Sequence, residues 1–341
     1  MATITLQTTC PQEQTHDKPT NPIKRRVRSA DTRKKSFYAQ DRPVFIDNRT
    51  MSGNIVLPKL SSAYSIKKGG PMERIQSGQS FDDDDTDPLL HNVSFKPGRF
   101  SSGASQTVGK RVAMEDTLMI SGALFEGIDY YGVFDGHNGD GAAISSMSVC
   151  HTLIDEKEIK GAGCSEHMKN VFSELHRRIC ETSESGTTAS VVIVRESDCI
   201  ISLIGDSPVY VLFEGKLKRI GKDHNPEDPE EYKRVIESGG RIADFDGLLR
   251  VNEQIAVTRS IGDKALHPPL TCIPDTFILP LNQIQRILIA TDGISVLQES
   301  AIQQLMSDSV SPGETARVIR NVAFDKESKD NISVIVIDLT Q

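Results

Sequence analysis

Five segments of this chain carry carboxylates where apolar runs begin or end. Asp135 closes YYGVF and is followed by Gly136-His137. Asp206 closes IISLIG, Asp292 closes RILIAT, Asp330 immediately precedes ISVIVI, and Glu115-Asp116 follow GKRVAM. Taken singly, each reads as a turn or cap residue, Asp-Gly above all, because Asp tolerates tight turns and Gly supplies a positive φ. Taken together they ask for another reason. Strands of packed sheets bring their ends to a common edge, where distant acids converge. Carboxylates gathered there repel and raise one another's pKa. A hard divalent cation removes that conflict. Mg2+ or Mn2+ takes about six oxygen ligands at roughly 2.1 Å, from carboxylates, carbonyls and waters. Gly136 suits such a place, since without a Cβ its carbonyl can approach an ion closely.

The elements that must position these acids can be read from periodicity. DYYGVFD, TASVVIV, CIISLIG, VYVLF, RILIATDG and ISVIVIDL read as strands. The breaks RESD and DSP are short, and FEGKLKRI turns at Glu214-Gly215, so these strands are expected to pair antiparallel; parallel pairing needs long crossovers. In HMKNVFSELHRRIC, residues Met168, Val171, Phe172, Leu175 and Ile179 fall on one helical face. DPEEYKRVIESGG reads as a helix capped by Asp228, with Pro229 at its first position, Glu231 at the capping-box position and Gly239 at its end. SPGETARVIRNVA repeats this grammar with Ser311, Pro312 and Glu314. The expected class is α+β, with antiparallel sheets and helices packed outside them, not a doubly wound parallel fold.

The chain has 341 residues, and its low apolar and aromatic content, 37% and 5%, fits a folded body with an unfolded part. Residues 1–92 read as a disordered extension and 93–341 as one catalytic domain. The extension holds a basic cluster, KRRVRSADTRKK, and an acidic run, FDDDDTDPLL; Ser29 follows arginines and resembles a kinase site. Residues 1–70 balance to +8 and the remainder to −16. So acidic a body is a poor nucleic-acid binder. The opposite charges raise the idea that the head folds back on the body, or meets a regulatory partner. No run approaches the roughly 18 apolar residues of a membrane span, and neither a signal peptide nor a myristoylation site is expected at the N-terminus. The six scattered cysteines form no CxxC pair and read as reduced thiols. A cytoplasmic, also nuclear, monomer is expected.

The motifs resemble those of the metal-dependent protein serine/threonine phosphatases of type 2C, the PPM family. GKRVAMEDT is similar to its R-x-x-M-E-D segment, VFDGHNGD to V-F-D-G-H-G-G, GTTASVV to G-S/T-T-A and IGDS to G-D-S. KDHNPEDPEEYKRVIESGGRI, RVNEQIAVTRSIGDKALH, TDGI and KDNISVIVI match further motifs in the family's order, from about Gly109 to Leu339. The resemblance implies a β-sandwich flanked by helices, with two Mg2+ or Mn2+ ions at one end and phosphorylated proteins as substrates. Asp135 would bridge the ions, the Gly136 carbonyl would bind one, and Asp292 and Asp330 the other. Glu115 and Asp116 would act largely through waters. Arg111 would clamp the substrate phosphate with its planar fork, and His137 would be the general acid. Two cations about 3.5–4 Å apart acidify a water and hold it in line with phosphorus.

Three positions depart from the family pattern. Asn138 replaces a usual Gly, Pro208 stands where an Arg is common, and Val296 occupies the place of an Asp that helps hold a third, weaker ion. Asp206 and Asp292 remain as ligands for that third site. The substrate-side segment Gly262 to Pro274 is short and carries Pro268-Pro269. Val296, Pro208 and the basic head motivate an alternative, a pseudophosphatase used as a binding or scaffold module. A third idea, a nucleic-acid binder acting through residues 24–35, requires a salt-sensitive interaction.

Overall fold

The computed structural model describes residues 93–96, 98–308 and 310–340. The basic cluster, Ser29 and the acidic run of the extension lie outside the described residues. Two sheets stack face to face. The first has six strands in the order Val93–Lys96, Thr117–Phe125, Ile128–Phe134, Ala189–Val194, Asp198–Ile204 and Asp275–Pro280. The second has five, in the order Lys216–Ile220, Val209–Phe213, Ile284–Ala290, Ile332–Asp338 and Ser101–Thr107.

The side-chain period of two decides which layer each residue serves. On the Ile128–Phe134 strand, Tyr131 and Val133 point between the sheets, where they meet Val192, Ile201, Val211, Ile289 and Ile335. Ile128, Tyr130 and Phe134 point the other way, onto the helices Gly141–Val149 and Cys164–Ile179. Both faces are covered, so these strands read as continuous apolar runs rather than alternating ones. The long helix buries Met168, Val171, Phe172, Leu175 and Ile179, the face expected from its spacing. Removing one such side chain costs about 2–5 kcal/mol. The helix Pro312–Asp325 covers the outside of the second sheet over Ser101–Thr107 and Ile332–Asp338. The layers run helix, sheet, sheet, helix, an α+β sandwich as expected. A smaller apolar cluster, Val235, Val251, Ile255, Val257, Leu266 and Leu270, gathers the helix Pro229–Glu237 and the segment that follows it.

The caps follow the sequence closely. Asp228 accepts from the Glu230 and Glu231 amides, Ser311 accepts from the Glu314 amide, and Gly239 ends its helix at φ +84°. Glu231 does not close a capping box. Its carboxylate is drawn instead to Arg259, Arg234 and Thr258, because two guanidinium partners outweigh one backbone amide.

Two expectations about strands need correction. CIISLIG and VYVLF do not pair with each other: the break Gly205–Pro208 carries the chain from one sheet to the other. Both strands are apolar on both faces, so hydrophobicity could not say which sheet each joins. The sheets are not wholly antiparallel either, since Val93–Lys96 runs parallel to Thr117–Phe125. GKRVAM is a loop, and Glu115 and Asp116 stand just before the Thr117–Phe125 strand.

Candidate metal and phosphate site

Backbone contacts hold the acids at one end of the sandwich. Asp135 directly follows the Ile128–Phe134 strand. Its amide donates to Thr188 Oγ1 (3.2 Å), and its carbonyl accepts from the Thr188 amide (2.9 Å) and Thr187 Oγ1 (3.0 Å). The backbone is thereby fixed on both sides, which leaves the side chain aimed by its neighbours. Gly136 follows because a Cβ there would sit 2.5 Å from the Glu115 carbonyl oxygen. That close approach brings the Glu115-Asp116 loop against the Asp135 end. Gly293, after Asp292, is required for the same reason: its Cβ would lie 2.1 Å from the Asn331 carbonyl oxygen. Asp292 thus closes onto the segment that carries Asp330.

The loop holding Arg111 is pinned by Asn331. Its Oδ1 accepts the Glu115 amide (2.8 Å), and its Nδ2 donates to the carbonyls of Val108 (2.9 Å) and Ala113 (3.0 Å). The half-exposed Arg111 donates to Asp330 Oδ2 (2.6 Å) and to the Lys329 carbonyl (3.3 Å). Glu115 Oε1 accepts from the Gly139 amide (2.6 Å). Asp116 is buried, with one carboxylate oxygen accepting from Ser333 Oγ (2.6 Å) and Thr291 Oγ1 (3.0 Å).

The acids sense one another. Desolvation raises Asp116 to about 7 despite its two hydroxyl donors, with Asp292 and Asp330 adding repulsion. Desolvation raises Asp206 to about 7, helped by Asp292 and Asp223, and Asp292 to about 6, helped by Asp330. Asp135 is pushed well above the usual carboxylate range, first by desolvation and then by Asp116, Asp292, Asp206 and Asp330. The structure therefore brings together Asp116, Asp135, Asp206, Asp292 and Asp330, with Arg111 and Glu115 at their rim.

His137 and Asp263 form a pair that sequence reasoning missed. His137 Nε2 lies 2.6 Å from Asp263 Oδ2, and the Asp263 side chain is 3% exposed. Asp263 and Asn331 both sit in segments that carried the resemblance, IGDK and KDNIS. Local pattern assigns neither a role, because their partners are 126 and more than 200 residues away. Asn138 takes φ +58°, the left-handed conformation expected of it. Pro208 is buried, and its carbonyl accepts the Ala290 amide (3.1 Å), which continues the pairing of Val209–Phe213 with Ile284–Ala290 in the second sheet. Val296 is 39% exposed and offers no ligand.

The donors suit a hard cation. Asp292 Oδ1 is buried without a hydrogen-bond partner, a costly state unless a ligand completes it. Among the described residues no group of three or more His, Cys, Asp or Glu side chains is arranged to hold a metal ion by itself. Two of the buried cysteines are held as thiols. Desolvation pushes the Cys150 and Cys199 thiols up to about 12, so neither supplies a thiolate.

The molecule is an α+β sandwich with acids and an arginine at one sheet edge. The family described as Protein phosphatase 2C matches residues 100–332. The chain is 29% identical over 278 residues to probable protein phosphatase 2C 68 of Oryza sativa subsp. japonica, covering 70% of this chain and 77% of that one. It is 30% identical over 215 residues to probable protein phosphatase 2C 44 of the same species, covering 61% and 67%. Among solved structures, a C. elegans sex determining protein superposes with a TM-score of 0.66 at 26% identity, over 72% of this chain and 66% of that one. A serine-threonine phosphatase 2C from Toxoplasma gondii gives 0.64 at 16% identity, over 73% and 98%; at that identity the likeness shows the fold alone. The chain belongs to the protein phosphatase 2C family, whose members are Mg2+- or Mn2+-dependent serine/threonine phosphatases.

Proposed function

We propose that this chain hydrolyses phosphoserine and phosphothreonine monoesters in proteins, with Mg2+ or Mn2+ held by Asp135, the Gly136 carbonyl, Asp292 and Asp330. The observation that carries this reading is the unpartnered, buried Asp292 Oδ1 inside a group of mutually repelling carboxylates. When bound, the ions would acidify the attacking water and neutralise charge on the transferring phosphoryl group. The protein's own groups do the rest. Arg111 presents its planar fork at the rim, where it can exchange the Asp330 carboxylate for phosphate oxygens. Glu115 and Asp116 each keep an oxygen for water while the other is engaged. His137 gives a proton to the leaving serine or threonine oxygen, which would otherwise depart as a strongly basic alkoxide. A third ion has Asp206 and Asp292 but no acid at Val296, so its affinity is expected to be low. No helix among the described residues is long and apolar enough to cross a membrane. We assign phosphorylated proteins as substrates and leave the basic segment 24–35 as the candidate regulatory contact.

The test is phosphate release from a phosphothreonine peptide with Mn2+ or Mg2+, with EDTA and Asp135→Asn as controls. Metal-dependent release that the substitution abolishes is expected. A folded protein that releases none at millimolar metal would instead be a binding or scaffold module.

A further inference from the structure

Three short strands form a small sheet beside the carboxylates. Gly186–Thr187 lies in the middle, with Gly136–His137 on one side and Ile261–Gly262 on the other. His137 and Asp263 reach toward each other across the middle strand, directly over Gly186. A Cβ at Gly186 would lie 2.0 Å from Asp263 Oδ2 and 2.3 Å from His137 Nε2. The bare glycine is the space in which the pair meets.

Asp263 is held for this contact. Its backbone is left-handed at φ +48°, a conformation an Asp accepts more readily than most residues. Its amide donates to the Ser185 carbonyl (3.2 Å), and its carbonyl accepts the Leu266 amide (2.7 Å). The preceding Gly262 amide donates to His176 Nδ1 (3.3 Å). Among the described residues, the hydrogen-bond partner of the Asp263 carboxylate is His137. The carboxylate is almost fully enclosed and meets the imidazole at hydrogen-bond distance, so the contact fixes the rotation of the ring.

We propose that Asp263 is the positioning residue for His137: it holds the ring by Nε2 so that Nδ1 is the nitrogen presented to the leaving oxygen. This rests on the phosphatase reading above. The phosphorus bond to the leaving oxygen breaks as the water oxygen bonds to phosphorus, and the proton that the water gives up passes to solvent. The Nδ1 proton passes to the leaving oxygen, which departs as the alcohol. Asp263 keeps the Nε2 proton in place, and Nδ1 takes a new proton from solvent. Asp263 lies on the Gly262 to Pro274 segment, so the placement of that segment also sets the aim of the acid.

The experiment compares two substrates with Asp263→Ala and Asp263→Asn in the full chain. The phosphothreonine peptide leaves as an alkoxide and needs the proton; p-nitrophenyl phosphate leaves as a stable anion and does not. For the peptide, kcat should fall by about 10²-fold, the low end for a general acid, with KM little changed. For p-nitrophenyl phosphate the fall should stay within about threefold of the unmodified protein, because the proton-transfer contribution is absent there. Equal losses on both substrates, or none on either, would overturn the proposal. NMR of the ring protons provides a readout free of turnover. The unmodified protein should show a downfield His137 Nε2 proton that Asp263→Ala removes; a protein lacking that signal, or a variant retaining it, overturns the assignment. If the unmodified protein hydrolyses neither substrate, the phosphatase reading has failed, and the NMR arm still decides whether Asp263 holds His137.

Discussion

Two of the charged clusters among the described residues are built in opposite ways. At the sheet edge, Asp116, Asp135, Asp206 and Asp292 press like charges together, and their carboxyls are raised toward or into the neutral range. Around the helix Pro229–Glu237, Glu231 faces Arg259 (2.5 Å) and Arg234 (2.8 Å), and Arg259 continues to Asp275 (2.7 Å), which meets His224 (3.1 Å). Burial alone would raise Glu231, but bonds from Arg259, Thr258 and Arg234 outweigh it and hold the carboxyl at about 2. The His224 hydrogen bond and then Arg259 hold Asp275 well below the usual carboxylate range. The paired region is complete without a ligand and anchors the fold. The unpaired region is a deficit that a cation fills, and a fold that tolerates such a deficit is holding it for chemistry.

The contrast can be broken most sharply at Asp292. Asp292→Asn should lower metal-dependent phosphate release by about 10²- to 10³-fold, the scale of losing a preorganised electrostatic element. The metal-free protein should melt no lower than the unmodified one, because a repelling charge has gone. A lower melting temperature would put Asp292 among the structural charges. Glu231→Gln should do the reverse. Leaving Arg259 short of its partner should cost about 3 kcal/mol of stability in denaturant unfolding, with turnover per folded molecule changed far less. An undiminished stability would remove the distinction between the regions.

Titration gives the next effect. The raised carboxyls at the sheet edge keep protons in the fold that the unfolded chain releases near pH 4. The metal-free protein should therefore lose stability as pH rises from about 4 to about 7. Each carboxyl contributes roughly 1.4 kcal/mol of that loss for every pH unit over which it stays protonated in the fold alone. Glu231 acts with the opposite sign: its stabilisation is present above the usual carboxylate range and is lost as pH falls toward 2. Mn2+ should raise the melting temperature more at pH 7.5 than at pH 5, since it binds deprotonated acids. Calorimetry with and without metal at the two values checks this, and an equal rise at both would contradict it. The smallest effect is expected at Val296. Val296→Asp should tighten the weakest metal-binding step by about tenfold, about 1.4 kcal/mol, measured by Mn2+ titration, and leave the tighter binding as it was.

Much of the fold is legible in the sequence because its signals are local. The helix Cys164–Ile179 announces itself by five apolar residues at helical spacing, and Asp228 and Ser311 cap as their neighbours predict. Gly136 has a second reason to be glycine that the sequence does not show: the space it leaves accommodates the Glu115 carbonyl. The switch of sheets at Gly205–Pro208 is hidden because a strand buried on both faces does not reveal its partner. Glu231 misleads because a capping box is a local pattern, whereas Arg259 reaches it from 28 residues away.

By itself the sequence determined the element types, the acidic residues at strand ends and, through eight motifs in order, the family. These depend on residue type and short spacing, which the chain carries openly. Only the tertiary structure decided which acids share a field, that Asn331 pins the Arg111 loop, and that Asp263 meets His137 over Gly186. Those contacts join residues brought together by sheet stacking. Energies that fall off within a few ångströms cannot be read from positions a hundred residues apart.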